Sequence, residues 1–252
     1  MKLTKRNYYS KKADMEYMSY SQFKAFDECP AKAMAILKGE YEREETESML
    51  VGSYVDAWLD GELSKFKQKH PDIFNSRTGE LKAEFKKANE LCELIKADEY
   101  LYKQLKGKRQ VTLTGSIAGV KFKGRIDSLN LDNITDGKVV KDCADMWDKG
   151  EKKPFYKVYR YDIQGAIYKT LYKQMKGKDL PFRLAVVTKE KTPDKRIFEF
   201  SEETIDSALQ EVIAKAPIYQ AIKEGREEIW GCGVCDYCKS KKRLDAEKIE
   251  IL

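Results

Sequence analysis

Histidine is nearly missing from this sequence: His70 is the only one in 252 residues, and it precedes Pro71 in a charged stretch. A histidine general base therefore has little support. Long apolar runs are missing too. The longest resemble Leu184 to Val187, whereas a bilayer-spanning helix needs about 20 apolar residues in a row, so no transmembrane helix is expected. Met1 to Asp14 mixes Lys, Arg and Tyr without the apolar segment of a secretory signal, which predicts a cytoplasmic protein without disulfides. Repeats, low-complexity tracts and Pro/Gly/Ser-rich linkers are absent, and the 6 prolines and 15 glycines are scattered. One continuous domain over residues 1–252 is the simplest expectation.

The chain has the means to fold, with 42% hydrophobic and 11% aromatic residues beside 36% charged ones. Lys and Arg outnumber Asp and Glu by 48 to 42, for a net charge of +6. That is a mild bias toward polyanionic partners, and it fits a solvated surface of mixed charge equally well.

Helical periodicity marks Ser19 to Lys38, capped by Ser19 or Ser21 and broken at Pro30. Further helices are expected over Glu47 to Asp60 and about Leu81 to Leu105. Three β-rich runs follow, Gln110 to Ile117, Val120 to Leu129 and Asn133 to Val140, joined by turn-forming residues at Ala118-Gly119 and Asn130 to Asp132. They predict an antiparallel meander. A lysine-rich loop (Lys149 to Pro154), a helix (Tyr156 to Gln174), strands (Phe182 to Thr188, Arg196 to Phe200) and a helix opened by Ser201 complete the order.

In the meander, Gly124-Arg125-Ile126-Asp127 closes one strand and Asp136-Gly137-Lys138 lies on the next. Side chains alternate along a strand, so Asp136 and Lys138 share a face, and the short turn brings Asp127 near them. Two carboxylates and an ammonium suit Mg²⁺ or Mn²⁺ and the activation of a water; a cross-hairpin salt bridge is the plainer reading. Asp56, on an otherwise apolar helix, is either a third ligand or a helix-edge residue. Tyr161, Gln164 and Tyr168 recur on one helical stripe, as core or as the wall of a polar pocket.

Cys232, Cys235 and Cys238 form a C-x₂-C-x₂-C run, whose three thiols can converge on one centre. Zinc in a four-cysteine site is the alternative to an iron–sulfur cluster. Cys92 reads as a small core residue, and Cys143 as core or bystander. Lys239, Lys241, Lys242 and Arg243 form a basic cluster, as a solubilising tail or as phosphate contacts.

The order of these motifs, Gly52-x-x-x-Asp56, Gly124-Arg125-Ile126-Asp127, Asp136-Gly137-Lys138 and Tyr161 to Tyr168, resembles the PD-(D/E)XK nuclease superfamily. The closest likeness is to the RecB-like and RecE-like exonucleases of phages and prophages, over nearly the whole chain. The resemblance implies an α/β (α+β) fold with a restriction-endonuclease-like core, a central mixed sheet flanked by helices. Residues 1–108 would form a mostly helical part, 109–225 the catalytic core, and 226–252 a cysteine knot with a basic tail.

The same resemblance implies that Asp127 and Asp136 bind Mg²⁺ (or Mn²⁺), that Lys138 positions the attacking water, and that Gln164 and Tyr168 line the site near the DNA backbone. RecB-like nucleases commonly carry His where this chain has Asp56, which would serve as an oxygen ligand. Cas4-like and AddB-like iron–sulfur nucleases place one cysteine before the core and three after it. That implies a 4Fe–4S cluster held by Cys29, Cys232, Cys235 and Cys238, although this chain's spacing before its last cysteine is narrower.

The implied function is 5′–3′ exonuclease action on duplex DNA ends in phage recombination, beside a single-strand annealing protein of the RecT type and in a homo-oligomeric ring. A Cas4-like end-trimming nuclease or endonuclease, or a non-catalytic DNA-binding adaptor of a recombination or anti-defence complex, are the other readings.

Overall fold

The computed structural model describes residues 1, 3, 4, 6–43 and 45–243. The end of the expected basic tail, 244–252, lies outside the described residues. In chain order the elements begin with α1 (Lys11–Glu16), β1 (Met18–Ser19), α2 (Tyr20–Glu28), α3 (Pro30–Lys38), α4 (Glu47–Leu59), α5 (Leu63–Lys69), α6 (Ala83–Ala97) and α7 (Glu99–Leu105). Strands β2 (Lys108–Ile117), β3 (Val120–Leu129), β4 (Ile134–Val140), β5 (Met146–Asp148) and β6 (Glu151–Lys153) follow. Then come α8 (Phe155–Val158), α9 (Tyr161–Lys176), β7 (Phe182–Thr188), β8 (Lys195–Glu199), α10 (Glu202–Lys223) and α11 (Asp236–Lys241). Among the described residues no helix is long and apolar enough to cross a membrane.

The chain forms two compact units, one of residues 45–115 and 124–210, the other of residues 1–43, 116–123 and 211–243. The first of these holds a mixed sheet in the order β3-β4-β7-β8, with β2 also paired to β3. β3 and β4 are antiparallel, β4 and β7 parallel over seven pairs from Ile134↔Phe182 to Val140↔Thr188, and β7 and β8 antiparallel. A parallel pair needs a long crossover, which here runs through α8 and α9. β7 is buried along nearly its whole length, as expected of a strand covered on both faces.

Beside the sheet, α4 buries Leu50, Val51, Tyr54, Val55 and Leu59, and α6 buries Phe85, Ala88, Leu91, Cys92 and Ile95. These positions repeat at helical spacing, so each helix turns one apolar stripe inward. They join Leu101, Leu105, Ala185 and Val187 in one core, where each large side chain contributes roughly 1.5–3 kcal/mol by burial. Cys92 is a packing residue, and burial pushes its thiol up to about 12.

Three expected elements are subdivided. The helix predicted over Leu81 to Leu105 breaks at Asp98, whose carboxylate accepts from Leu101 N at 3.0 Å and caps α7; such local bonding competes with helix continuation. The helix predicted from Tyr156 is split by Arg160, which adopts a left-handed backbone (φ 62°). The predicted lysine-rich loop is part of a hairpin, β5–β6, with Trp147 opposite Lys152.

In the other unit, β1 pairs in parallel with the start of β3 (Met18↔Phe122, Ser19↔Lys123). Tyr219 of α10 stacks on Phe26 and meets Phe23 edge-on, while its hydroxyl donates to Asp27 at 2.9 Å. Two lysines are buried here. Lys123 is 1% exposed, donates to Asp14 Oδ1 at 2.6 Å and lies over the Tyr8 ring. Lys223 donates to the carbonyls of Asp14 and Tyr17 and to Gln22 Oε1, at 2.8, 3.0 and 3.1 Å. Burial pulls the Lys223 ammonium down to about 8, and Lys123 pushes the same way.

Candidate active site and metal centre

β3 and β4 pair at Ser128↔Thr135 and Leu129↔Ile134, and Asp127 and Asp136, the next residue along each strand from the first of these pairs, interact electrostatically. Cross-strand partners project to one face, and two like charges so placed repel. Asp136 is 1% exposed, and its two oxygens are engaged differently. Gln164 Nε2 on α9 donates to Oδ1 at 2.6 Å. Oδ2 is held by the Lys138 ammonium, from two residues along the same strand.

The neighbourhood is crowded with negative charge. Burial, then the Asp136 and Asp56 carboxylates, hold Asp127 well above the usual carboxylate range. Asp56 on α4 is pushed up to about 6, chiefly by burial and against the opposing pull of Lys138 and Arg109. For Lys138, burial favours the neutral amine, but Asp136 and Asp127 outweigh it and carry the ammonium well above its ordinary value. Its Nζ also lies 5.3 Å from the centre of the Tyr161 ring, in cation–π range. Tyr161 itself is raised to about 12 by burial.

All the acidic and basic residues expected at the site, Asp56, Asp127, Asp136 and Lys138, thus interact, and Gln164 joins them. Tyr168 stands behind: it is 8% exposed, lies within hydrogen-bonding reach of Gln164, and is raised by burial. Its ring also explains Gly124. A Cβ there would come within 2.9 Å of Tyr168 Cε1, and a packed ring has no cheap way to retreat.

Sequence reasoning missed Arg109 and Asp60. Arg109 Nε donates to Asp60 at 2.7 Å and its NH1 to the Leu105 carbonyl at 3.1 Å, while its NH2 reaches to 3.9 Å from Asp56. Gln110 Nε2 completes the clasp on Asp60 at 3.0 Å. The available signal was Asp56 and Asp60 at i and i+4, on one side of α4.

Three carboxylates gathered around one ammonium form a hard, anionic donor set. Arg109 is shared between Asp60 and Asp56, so Lys138 is the cation that offsets the charge on Asp136 and Asp127. Oxygen donors of this kind suit a divalent cation such as Mg²⁺ or Mn²⁺, which Asp56, Asp127 and Asp136 could hold.

The second group lies in the other unit. Cys29, Cys232, Cys235 and Cys238 bring their sulfurs within 4.8 Å of one another, the one metal-competent set of that closeness among the described residues. Cys29 Sγ is 3.6 Å from Cys238 Sγ, and Cys232 Sγ is 4.0 Å from Cys238 Sγ. Cys29 caps α3, accepting from Lys32 N at 3.4 Å, with Pro30 supplying the first helical position. A Cβ at Gly231 would sit 2.8 Å from Cys238 Sγ, and Gly233 takes a left-handed backbone (φ 75°) between the first two ligands of the run. Backbone N–H groups of Val234 and Cys235 draw the Cys232 thiol down to about 6, while burial raises the thiols of Cys235 and Cys29. Cys143, half-buried, stands apart from the group.

Residues 19–241 match the family model described as a PDDEXK-like domain of unknown function (DUF3799). No curated protein matches the sequence. Among solved structures, a crystal structure of a "putative exonuclease" from Eubacterium rectale is 38% identical, with a TM-score of 0.91, covering 97% of this chain and 95% of that one. With the acidic pair, the lysine and the mixed sheet in place, the chain belongs to this PDDEXK-like family, within the PD-(D/E)XK nuclease superfamily.

Proposed function

We propose that this chain is a divalent-metal-dependent nuclease that hydrolyses DNA phosphodiester bonds as an exonuclease at duplex ends. The observation that carries the reading is the Asp127–Asp136–Lys138 group on one sheet face, with Gln164 fixing one Asp136 oxygen. A bound Mg²⁺ would supply Lewis acidity toward a phosphate oxygen and lower the pKa of a coordinated water. Lys138 holds an ammonium among the acids, where it orients the attacking water and offsets charge as phosphorus becomes five-coordinate. Gln164 keeps Asp136 in one rotamer, and Arg109 favours ionised Asp56.

The resemblance carries the finer reading: 5′–3′ polarity, phage recombination in a bacterial cytoplasm, an annealing partner of the RecT type and a homo-oligomeric ring. The test is end-labelled linear duplex with Mg²⁺ beside a covalently closed circle. An exonuclease shortens the first and spares the second, and Lys138→Ala abolishes the loss. Equal nucleotide release by wild type and Lys138→Ala rejects the site.

The four cysteines hold a structural metal in this reading. The resemblance favours a 4Fe–4S cluster. The sulfur separations favour zinc, because a tetrahedral ion with bonds of about 2.3 Å places sulfurs roughly 3.8 Å apart. Anaerobically purified protein that is brown and absorbs near about 400 nm identifies the cluster; colourless protein with one zinc per chain identifies the ion.

A further inference from the structure

The β5–β6 hairpin lies in the segment 141–160, which joins the strand bearing Asp136 and Lys138 to the helix that opens with Tyr161. Both ends of the segment are therefore fixed at the carboxylate group. At its far side Phe155 packs edge-on to Tyr161 (6.5 Å between ring centres), and Tyr161 in turn lies against Lys138. The hairpin turn is tight, with positive φ at both Lys149 (50°) and Gly150 (86°), the pattern of a two-residue turn matched to strand twist.

The two faces of this hairpin differ. Met146, Asp148 and Lys153 are half-buried, and Lys153 pairs with Asp148 and Glu151 at 3.1 and 3.4 Å. The other face carries Trp147, 75% exposed, directly opposite exposed Lys152. An indole left in water keeps a large apolar face uncovered, and the neighbouring ammonium matches a phosphate.

We propose that Trp147 and Lys152 form a stacking platform for one unpaired nucleobase and its phosphate beside the cleavage site. The inference rests on the nuclease reading. Inside a duplex both faces of a base are covered by its neighbours, so an indole can stack only on a base at a frayed end or in a single strand. Such stacking tolerates any sequence, because every base has a π-face. The hairpin thus selects a locally melted strand, and Lys152 adds a salt-dependent contact.

The test measures binding of a labelled oligothymidylate and of a covalently closed duplex circle, with Ca²⁺ replacing Mg²⁺. The proteins are wild type, Trp147→Ala, Trp147→Phe and Lys152→Ala. The expected result is that wild-type indole emission is quenched by the oligothymidylate and that Trp147→Ala binds it about 10-fold more weakly. Trp147→Phe should retain most of the affinity, Lys152→Ala should flatten the salt dependence, and binding to the circle should be unchanged. Undiminished oligothymidylate binding by Trp147→Ala, or an equal loss on the circle, overturns the platform. If the wild type degrades linear DNA in Mg²⁺ while either of those results holds, only the platform fails. If the wild type neither binds nor degrades DNA, the nuclease reading fails with it.

Discussion

Gln164 reaches from α9 to place its amide nitrogen 2.6 Å from Asp136 Oδ1, and both residues are almost fully buried. A buried carboxylate held this way cannot rotate freely, and its other oxygen stays aimed at Lys138. Gln164→Ala should therefore retain the fold and lose about 10- to 100-fold in nuclease turnover or metal affinity, the usual cost of removing a residue that orients a ligand. Gln164→Glu should be worse, since it adds a fourth acid. Steady-state cleavage rates with a Mg²⁺ titration check both.

Asp127 and Asp136 face each other across two strands, and in metal-free protein that proximity costs stability. Asp127→Asn relieves the repulsion. Its metal-free form should melt above wild type by at least about 1 kcal/mol, or roughly 2–4 °C for a chain of this size, while cleavage is lost. Calorimetry in EDTA and in Mg²⁺ tests this: Mg²⁺ should raise the wild-type Tm and leave the variant's nearly unmoved.

Asp56 gives the site its pH dependence. Its carboxyl, raised to about 6, neutralises as pH falls through that value and ceases to be an anionic ligand. Divalent-ion affinity should drop between about pH 7 and 5. Metal-free stability should move oppositely, rising as pH falls from about 6 toward the unfolded value near 4, because the folded form then binds the extra proton. Asp56→Asn should flatten both trends in isothermal titration and in melting curves.

Lys223 has the reverse sign at the alkaline end. Its folded value of about 8 lies below its ordinary 10.5, so between those values the unfolded chain holds a proton that the folded one has released. Stability contributed by this residue should rise across that window, by as much as about 3 kcal/mol, and should be missing below it. Urea denaturation of wild type and Lys223→Met at about pH 7 and pH 10 measures it: the difference between the two proteins should shift in favour of wild type at the higher pH.

Strand periodicity revealed the acidic pair and Lys138 in the sequence because those residues sit on neighbouring strands, where alternation alone dictates facing. The order of strands and helices was legible for the same reason. Arg109 and Asp60 were not, since their contact joins a strand start to a helix end, and no local period encodes that. The split at Asp98 was hidden because helical spacing resumes at once in α7, and only the capping bond betrays the break. Gly124 was visible as part of a motif, but its reason, the ring of Tyr168, lay 44 positions away in the chain. The Trp147 hairpin read as a loop because two three-residue strands are too short to show alternation.

Cys29 precedes the strands of the sheet and its three sulfur partners follow them, with Cys232 standing 203 residues after Cys29. During synthesis the ribosome delivers Cys29 long before Cys238 exists. The sulfur ring can close only once Cys238 has been made, whereas the strands of the other unit's sheet have all been delivered by then. Any metal these four sulfurs hold is thus loaded only after the sheet's strands have been made, and a chain arrested before Cys232 carries its first thiol without those partners.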